Sequence, residues 1–136
     1  MTIDDIVPIT VPPQLRRVLE VLRGLNLTHT SEDEMQRGIS MALTAAGIEH
    51  HREVVLGKAG RIDFVVEGRV GIECKVAGPM VAVYDQVHGY AQTNFFDAFV
   101  VATTKPAHAR MPRAIPVEAA WRRVSVDVVV FDGGLR

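Results

Sequence analysis

Apolar residues recur along this chain with two different periods, and the alternation between them outlines an α/β fold. Pro12 and Pro13 open a stretch in which Leu15, Val18, Leu19 and Leu22 fall on one face at helical spacing, so residues 14–22 predict a first helix ended by Gly24. Residues 30–34 start a second one. Ser31 followed three positions later by Glu34 is a capping-box pattern, Ile39, Ala42, Leu43 and Ala46 supply the buried face, and Gly47 is the stop. The period then shortens. Residues 51–56, 61–66 and 70–76 read as three strands, separated by Gly57-Lys58-Ala59-Gly60 and Glu67-Gly68 and closed by Gly78-Pro79. Residues 80–93 return to helical spacing through Val83, Val87 and Ala91, and residues 98–103 form an apolar run of buried-strand type. Residues 105–116, rich in Pro, Ala and Arg, predict a loop; 117–123 a helical turn; 124–131 a last strand. The order α-α-β-β-β-α-β-(α)-β predicts an α/β domain with a mixed central β-sheet flanked by helices.

Composition narrows the class without naming a function. The 136 residues are 48% hydrophobic and 23% charged, the balance of one globular domain with a core of its own. No apolar run approaches the roughly 18 residues of a membrane span. The first five residues are acidic and do not read as a secretory signal, and Cys74 is the single cysteine, so a reducing cytoplasmic location is expected. A net charge of −1 argues neither for nor against a nucleic-acid partner. Charge is uneven, however: Lys105, Arg110, Arg113, Arg122 and Arg123 face only Glu118 in that stretch, a solvated basic face or a phosphate-contacting flank.

The chemistry-bearing segment is residues 61–76. On the strand that ends it, Glu73 and Lys75 share a face while Val70, Ile72, Cys74 and Val76 take the other. Asp63 sits in the preceding apolar strand. Charges in such positions cost stability unless they are paired or hold an ion. Two carboxylates suit Mg²⁺ or Mn²⁺ with several retained waters, the backbone carbonyl of Cys74 can complete the shell, and an adjacent lysine can orient a water or neutralise a phosphorane-like transition state. Phosphodiester hydrolysis is the reaction that uses this set.

Asp63, then Glu73-Cys74-Lys75, resembles the signature of the PD-(D/E)XK nuclease superfamily, with Ile62 where the pattern has a proline. The surrounding order of helix, three strands, helix and strand is similar to that family's restriction-endonuclease-like core. Glu34 matches the upstream acidic residue of its RecB-like branch, often a metal ligand, and Gln86-Val87-His88-Gly89-Tyr90 matches its Gln-x-x-x-Tyr motif. The resemblance implies a Mg²⁺- or Mn²⁺-dependent deoxyribonuclease in recombination, repair or phage DNA metabolism. Its catalytic residues would be Asp63, Glu73, Lys75 and Glu34, its metal ligands Asp63, Glu73, Cys74 and Glu34, and its substrate-contacting or bracing pair Gln86 and Tyr90. Residues 31–103 would be the catalytic core, 1–30 a helical extension and 104–136 a basic loop and final strand. So small a domain offers little surface to grip DNA, and a homo-oligomer is expected.

Other readings stand beside these. Glu73 and Lys75 suit a solvated cross-strand pair with Asp63 as partner, and a catalytically inactive nuclease-fold module that binds DNA, or a purely structural domain, would need no more. Glu34 serves equally as the capping-box residue, with Glu32 and Glu53 as its substitutes at a metal. Tyr90 and Cys74 suit a core, His50 and His51 point to opposite faces, His88 suits the surface, and Trp121 suits packing against the sheet or stacking on a base. Register decides among them. A two-residue turn at Glu67-Gly68 would pair Asp63 with Ile72 and put the carboxylates on opposite faces. The nuclease reading requires the three-residue loop Glu67-Gly68-Arg69 with positive φ, a bulge, or a bend at Asp63.

Overall fold

The computed structural model describes residues 9–27 and 31–131, so Thr30, the first five residues and the segment after 131 lie outside the described residues. The elements are β1 (Ile9–Thr10), α1 (Pro13–Arg23), α2 (Glu32–Ala45), β2 (His50–Val55), β3 (Arg61–Val66), β4 (Val70–Lys75), α3 (Met80–Ala91), β5 (Ala98–Thr103), β6 (Ala114–Val117) and β7 (Arg122–Val130). The strands make one mixed sheet in the order β1-β7-β5-β4-β3-β2, with β6 also paired to β7. β2, β3 and β4 form an antiparallel meander, and β4, β5 and β7 run parallel. Among the described residues no helix is long and apolar enough to cross a membrane.

Helices cover both faces, which is why β5 is apolar at every position before Thr103. On one face α1 and α2 lay Leu15, Val18, Leu22, Met35, Ile39 and Leu43 against Phe64, Ile72, Cys74, Val100 and Ala102. On the other, α3 brings Val83, Val87, Tyr90 and Ala91 onto Ile62, Phe99, Val101 and Val126. The helix ends follow their sequence signals. Pro13 occupies the first turn of α1, where no N–H is needed, and Gly24 caps its end. Ser31 caps α2 in a reciprocal capping box with Glu34, and Gly47 beyond its end has φ +72°.

The C-terminal third departs most from the pattern. Residues 114–117 are a strand rather than loop, and β7 begins at Arg122. Pro116 hides β6 from a sequence reading because it removes a ladder donor, which is tolerated here because β6 pairs with β7 alone. β1 is too short to show any period. Trp121 does not pack against the sheet: it is 62% exposed, in a left-handed turn at φ +48°. Nor is Arg122 a free phosphate contact. Its guanidinium ties the chain before β5, donating to Asn94 Oδ1, Asp97 Oδ1 and the Phe96 carbonyl.

Gly71 on β4 explains how α3's face closes so tightly. A Cβ there would lie 2.7 Å from Ile62 Cδ1 and 2.9 Å from two ring carbons of Phe99. Gly71→Ala is therefore expected to cost about 1–3 kcal/mol of stability, measured by urea denaturation. A cost near zero would show that this face has slack.

Candidate active site

The β3–β4 connection is the three-residue loop Glu67-Gly68-Arg69, one of the arrangements that would bring Asp63 opposite Glu73. Val66 pairs with Val70, Val65 with Gly71 and Phe64 with Ile72, while Gly68 and Arg69 take φ of +81° and +66°. Gly68 accepts this conformation freely, and Arg69 is held by Asp97 at 3.1 Å and the Asn94 carbonyl at 2.9 Å. In this register Asp63 comes opposite Glu73.

The ladder stops just before that pair, and the reason is a change of face in β3. In a regular strand Ile62, Phe64 and Val66 would share one face. Instead Phe64 and Val66 pack with α1 and α2, whereas Ile62 packs with α3. β4 does not turn over: Val70, Ile72 and Cys74 all stay on the α1–α2 face. The two strands therefore part beyond Phe64 and Ile72. The two acidic side chains reach across the gap reciprocally. Asp63 N–H donates to Glu73 Oε1 at 3.2 Å, and Cys74 N–H donates to Asp63 Oδ2 at 2.7 Å.

This interlock gathers negative charge in a nearly closed place. Glu73 is 3% exposed. Burial first, and then the neighbouring Asp63, push its carboxyl up to about 8, against the pull of Lys75. Asp63 is also raised, chiefly by burial, with the Cys74 N–H and Lys75 opposing. The cation at hand is Lys75, whose Nζ lies 3.7 Å from Glu73 Oε2. One lysine faces one buried and one half-buried carboxylate, and carboxylate and carbonyl oxygens are the donors a hard divalent cation prefers. Cys74, whose thiol burial raises further, belongs to the core through its side chain, so only its backbone carbonyl is available as a ligand. Among the described residues no group of three or more His, Cys, Asp or Glu side chains is gathered around a single point.

The remaining candidates divide. Glu34 is exposed and its carboxylate accepts the Ser31 N–H in the capping box, which also holds its pKa below the usual range. It is Glu32, two residues earlier, that feels Asp63 and Lys75; burial raises its carboxyl. Gln86 and Tyr90 do meet on one side of α3, with Gln86 Nε2 donating to the Tyr90 hydroxyl at 2.8 Å. Tyr90 is fully buried, however, and its hydroxyl donates to the Arg61 carbonyl at 2.9 Å. This pair braces the start of β3 rather than presenting Tyr90 to a substrate. A further network escapes the sequence because a lone histidine carries no signal. Buried His108 joins Thr103, the β5 partner of Lys75, to the Gly78 carbonyl, at 2.7 and 2.8 Å. It ties together the two loops that leave the carboxyl ends of β4 and β5.

No family model, no characterised protein and no solved structure matches this chain. The functional reading rests on the residues and their geometry.

A carboxyl raised in the folded state takes up a proton on folding, so its contribution to stability is complete below about 4.5 and is lost as pH rises through about 8. Thermal unfolding in EDTA should show Tm falling across that window. Glu73→Gln keeps an acceptor for the Asp63 N–H without the charge, and should raise Tm at pH 8 by about 4 °C or more. A pH profile parallel to that of the unsubstituted protein would refute the electrostatic assignment.

Proposed function

We propose that this chain is a Mg²⁺- or Mn²⁺-dependent deoxyribonuclease of the PD-(D/E)XK superfamily, RecB-like branch. Its restriction-endonuclease-like core would run from α2 through β2, β3, β4 and α3 to β5. The observation that carries the reading is the junction of Asp63, Glu73 and Lys75 where β3 and β4 part. Three side chains of the right chemistry, from two strands, occupy one electrostatically undercompensated spot.

Asp63, Glu73 and the Cys74 carbonyl would hold the metal. The N–H and C=O of a strand residue share one edge, so the Cys74 carbonyl lies on the side from which its N–H reaches Asp63. A bound ion would supply Lewis acidity toward a phosphate oxygen and a more acidic water. The chain's own contribution is placement. Lys75, held at Glu73 and a quarter exposed, is set to orient a water or to neutralise charge growing on the phosphate. Glu32 takes the role of the upstream acid in place of Glu34. Gln86 and Tyr90 hold the Arg61 carbonyl, and with it the strand that carries Asp63. DNA is the proposed substrate and a homo-oligomer the proposed assembly, in a cytoplasmic setting.

The test is incubation with labelled single-stranded, duplex and branched DNA. Cleavage is expected with Mn²⁺ or Mg²⁺ and not in EDTA, and Ca²⁺ should support binding without hydrolysis because its looser coordination misplaces the attacking water. Asp63→Ala, Glu73→Ala and Lys75→Ala should each lower the rate at least about a hundredfold. Near-normal cutting by Lys75→Ala or Glu73→Ala would sink the assignment.

Glu32→Gln should slow cleavage by about tenfold or more, whereas Glu34→Gln, which keeps an acceptor for the Ser31 N–H, should leave the rate nearly unchanged. The reverse order of rates would return the metal role to Glu34. One observation favours a second reading: both carboxylates already have backbone donors, so they would also serve as strand stitches in a catalytically inactive domain. Absence of cleavage on every DNA form with Mn²⁺ would select it.

A further inference from the structure

Across the sheet from Glu73, the edge strand β2 carries an anomaly. Glu53 has φ +54°, left-handed backbone in the middle of a strand and at a residue with a long side chain. Such a conformation is sterically costly for a residue other than glycine, asparagine or aspartate, and persists only where its surroundings demand it. Its position says what demands it. Arg52 pairs with Phe64 and Val54 with Ile62, so Glu53 lies opposite Asp63.

The change of face occurs in both strands at this point. Arg52 stands 5.7 Å over the Phe64 ring and donates to Gln36 on α2, so it belongs to the α1–α2 face. Val54 packs with Ile62 in the α3 core. Each strand thus turns over across a single residue, Glu53 in β2 and Asp63 in β3, and they do so side by side. Pairing survives on both sides of the turn between β2 and β3, whereas β4, which stays flat, is left behind. If β2 ran straight, β3 could keep its pairing with β2 only by running straight too. Asp63 would then rejoin a regular ladder, and its carboxylate would leave the Cys74 N–H.

We infer that Glu53 is a positioning residue for Asp63, acting through its left-handed backbone rather than its carboxylate. This rests on the nuclease reading only for its consequence in catalysis; the geometry it explains stands apart from that reading. Glu53 is exposed and its carboxylate faces Asp63 only through electrostatic repulsion, which helps to raise Asp63. Its side chain gives no help in bringing the acidic residue in.

The experiment compares Glu53→Gly and Glu53→Asn, which accept positive φ, with Glu53→Val, whose branched side chain opposes it. The readout is hydrogen exchange of the Cys74 amide by NMR in the metal-free protein, with Val100 and Val101 on β5 as internal standards for the intact sheet. Glu53→Gly and Glu53→Asn should leave Cys74 as protected as in the unsubstituted chain. Glu53→Val should speed its exchange about tenfold relative to the standards. Where the unsubstituted protein cleaves DNA, kcat should follow the same order. Slow Cys74 exchange in Glu53→Val would overturn the proposal, and so would a Glu53→Gly that loses protection, since the side chain would then be responsible. Should Glu53→Val fail to fold, the glycine and asparagine variants still decide it. An inactive protein showing the expected exchange pattern would refute the nuclease reading and leave this inference intact.

Discussion

Two backbone N–H groups, those of Asp63 and Cys74, govern the architecture of this molecule. They lie where β3 and β4 part, and a buried donor left unbonded costs about 1–3 kcal/mol. Each is answered by a carboxylate from the opposite strand. The same two bonds close the gap in the sheet and pin both acidic groups in one spot, so fold and site are not separable here. Removing the turn in β3 would restore a ladder and disperse the charges. Removing the charges would leave the gap unsealed.

That solution imposes a standing electrostatic cost. Burial raises both carboxyls, and Lys75 offsets only part of the charge. Under the proposed function a bound cation would offset this imbalance. The rest of the structure stiffens the region. Tyr90 and Gln86 hold the first residue of β3, and His108 links the loops beyond β4 and β5. Phe99 and Ile62 fill the space that Gly71 leaves open. None of these groups needs to touch a substrate to matter, because a displacement of β3 would part Asp63 from Cys74.

Helix α2 shows how local chemistry separates two neighbouring acids. Ser31 and Glu34 have the spacing of a capping box, and the free N–H groups at a helix start are an immediate claim on any nearby acceptor. Glu34 answers that claim and is spent on it. Glu32, at the first position of the same helix, keeps its carboxylate available and lies within the field of Asp63 and Lys75. Residues two apart on a helix point in different directions, so the capping of one leaves the other toward the sheet.

The linear order of residues was enough for the helices, for β2 to β5 and for the shared face of Glu73 and Lys75, because helix and strand periods are local properties. It left the register of the β3–β4 turn open between a two-residue turn and a three-residue loop, and the structure chose the loop. β6 was hidden by Pro116, and the exposure of Trp121 by the left-handed turn that carries it. The reversal of faces at Glu53 and Asp63 was not legible at all: its cause is that Ile62 and Phe64 find their cores on opposite sides of the sheet, under helices distant in the chain. The burial of Tyr90 and the linkage through His108 were decided in the same way. Alternation tells a strand which residues go together, but only the packed layers tell it where to turn over.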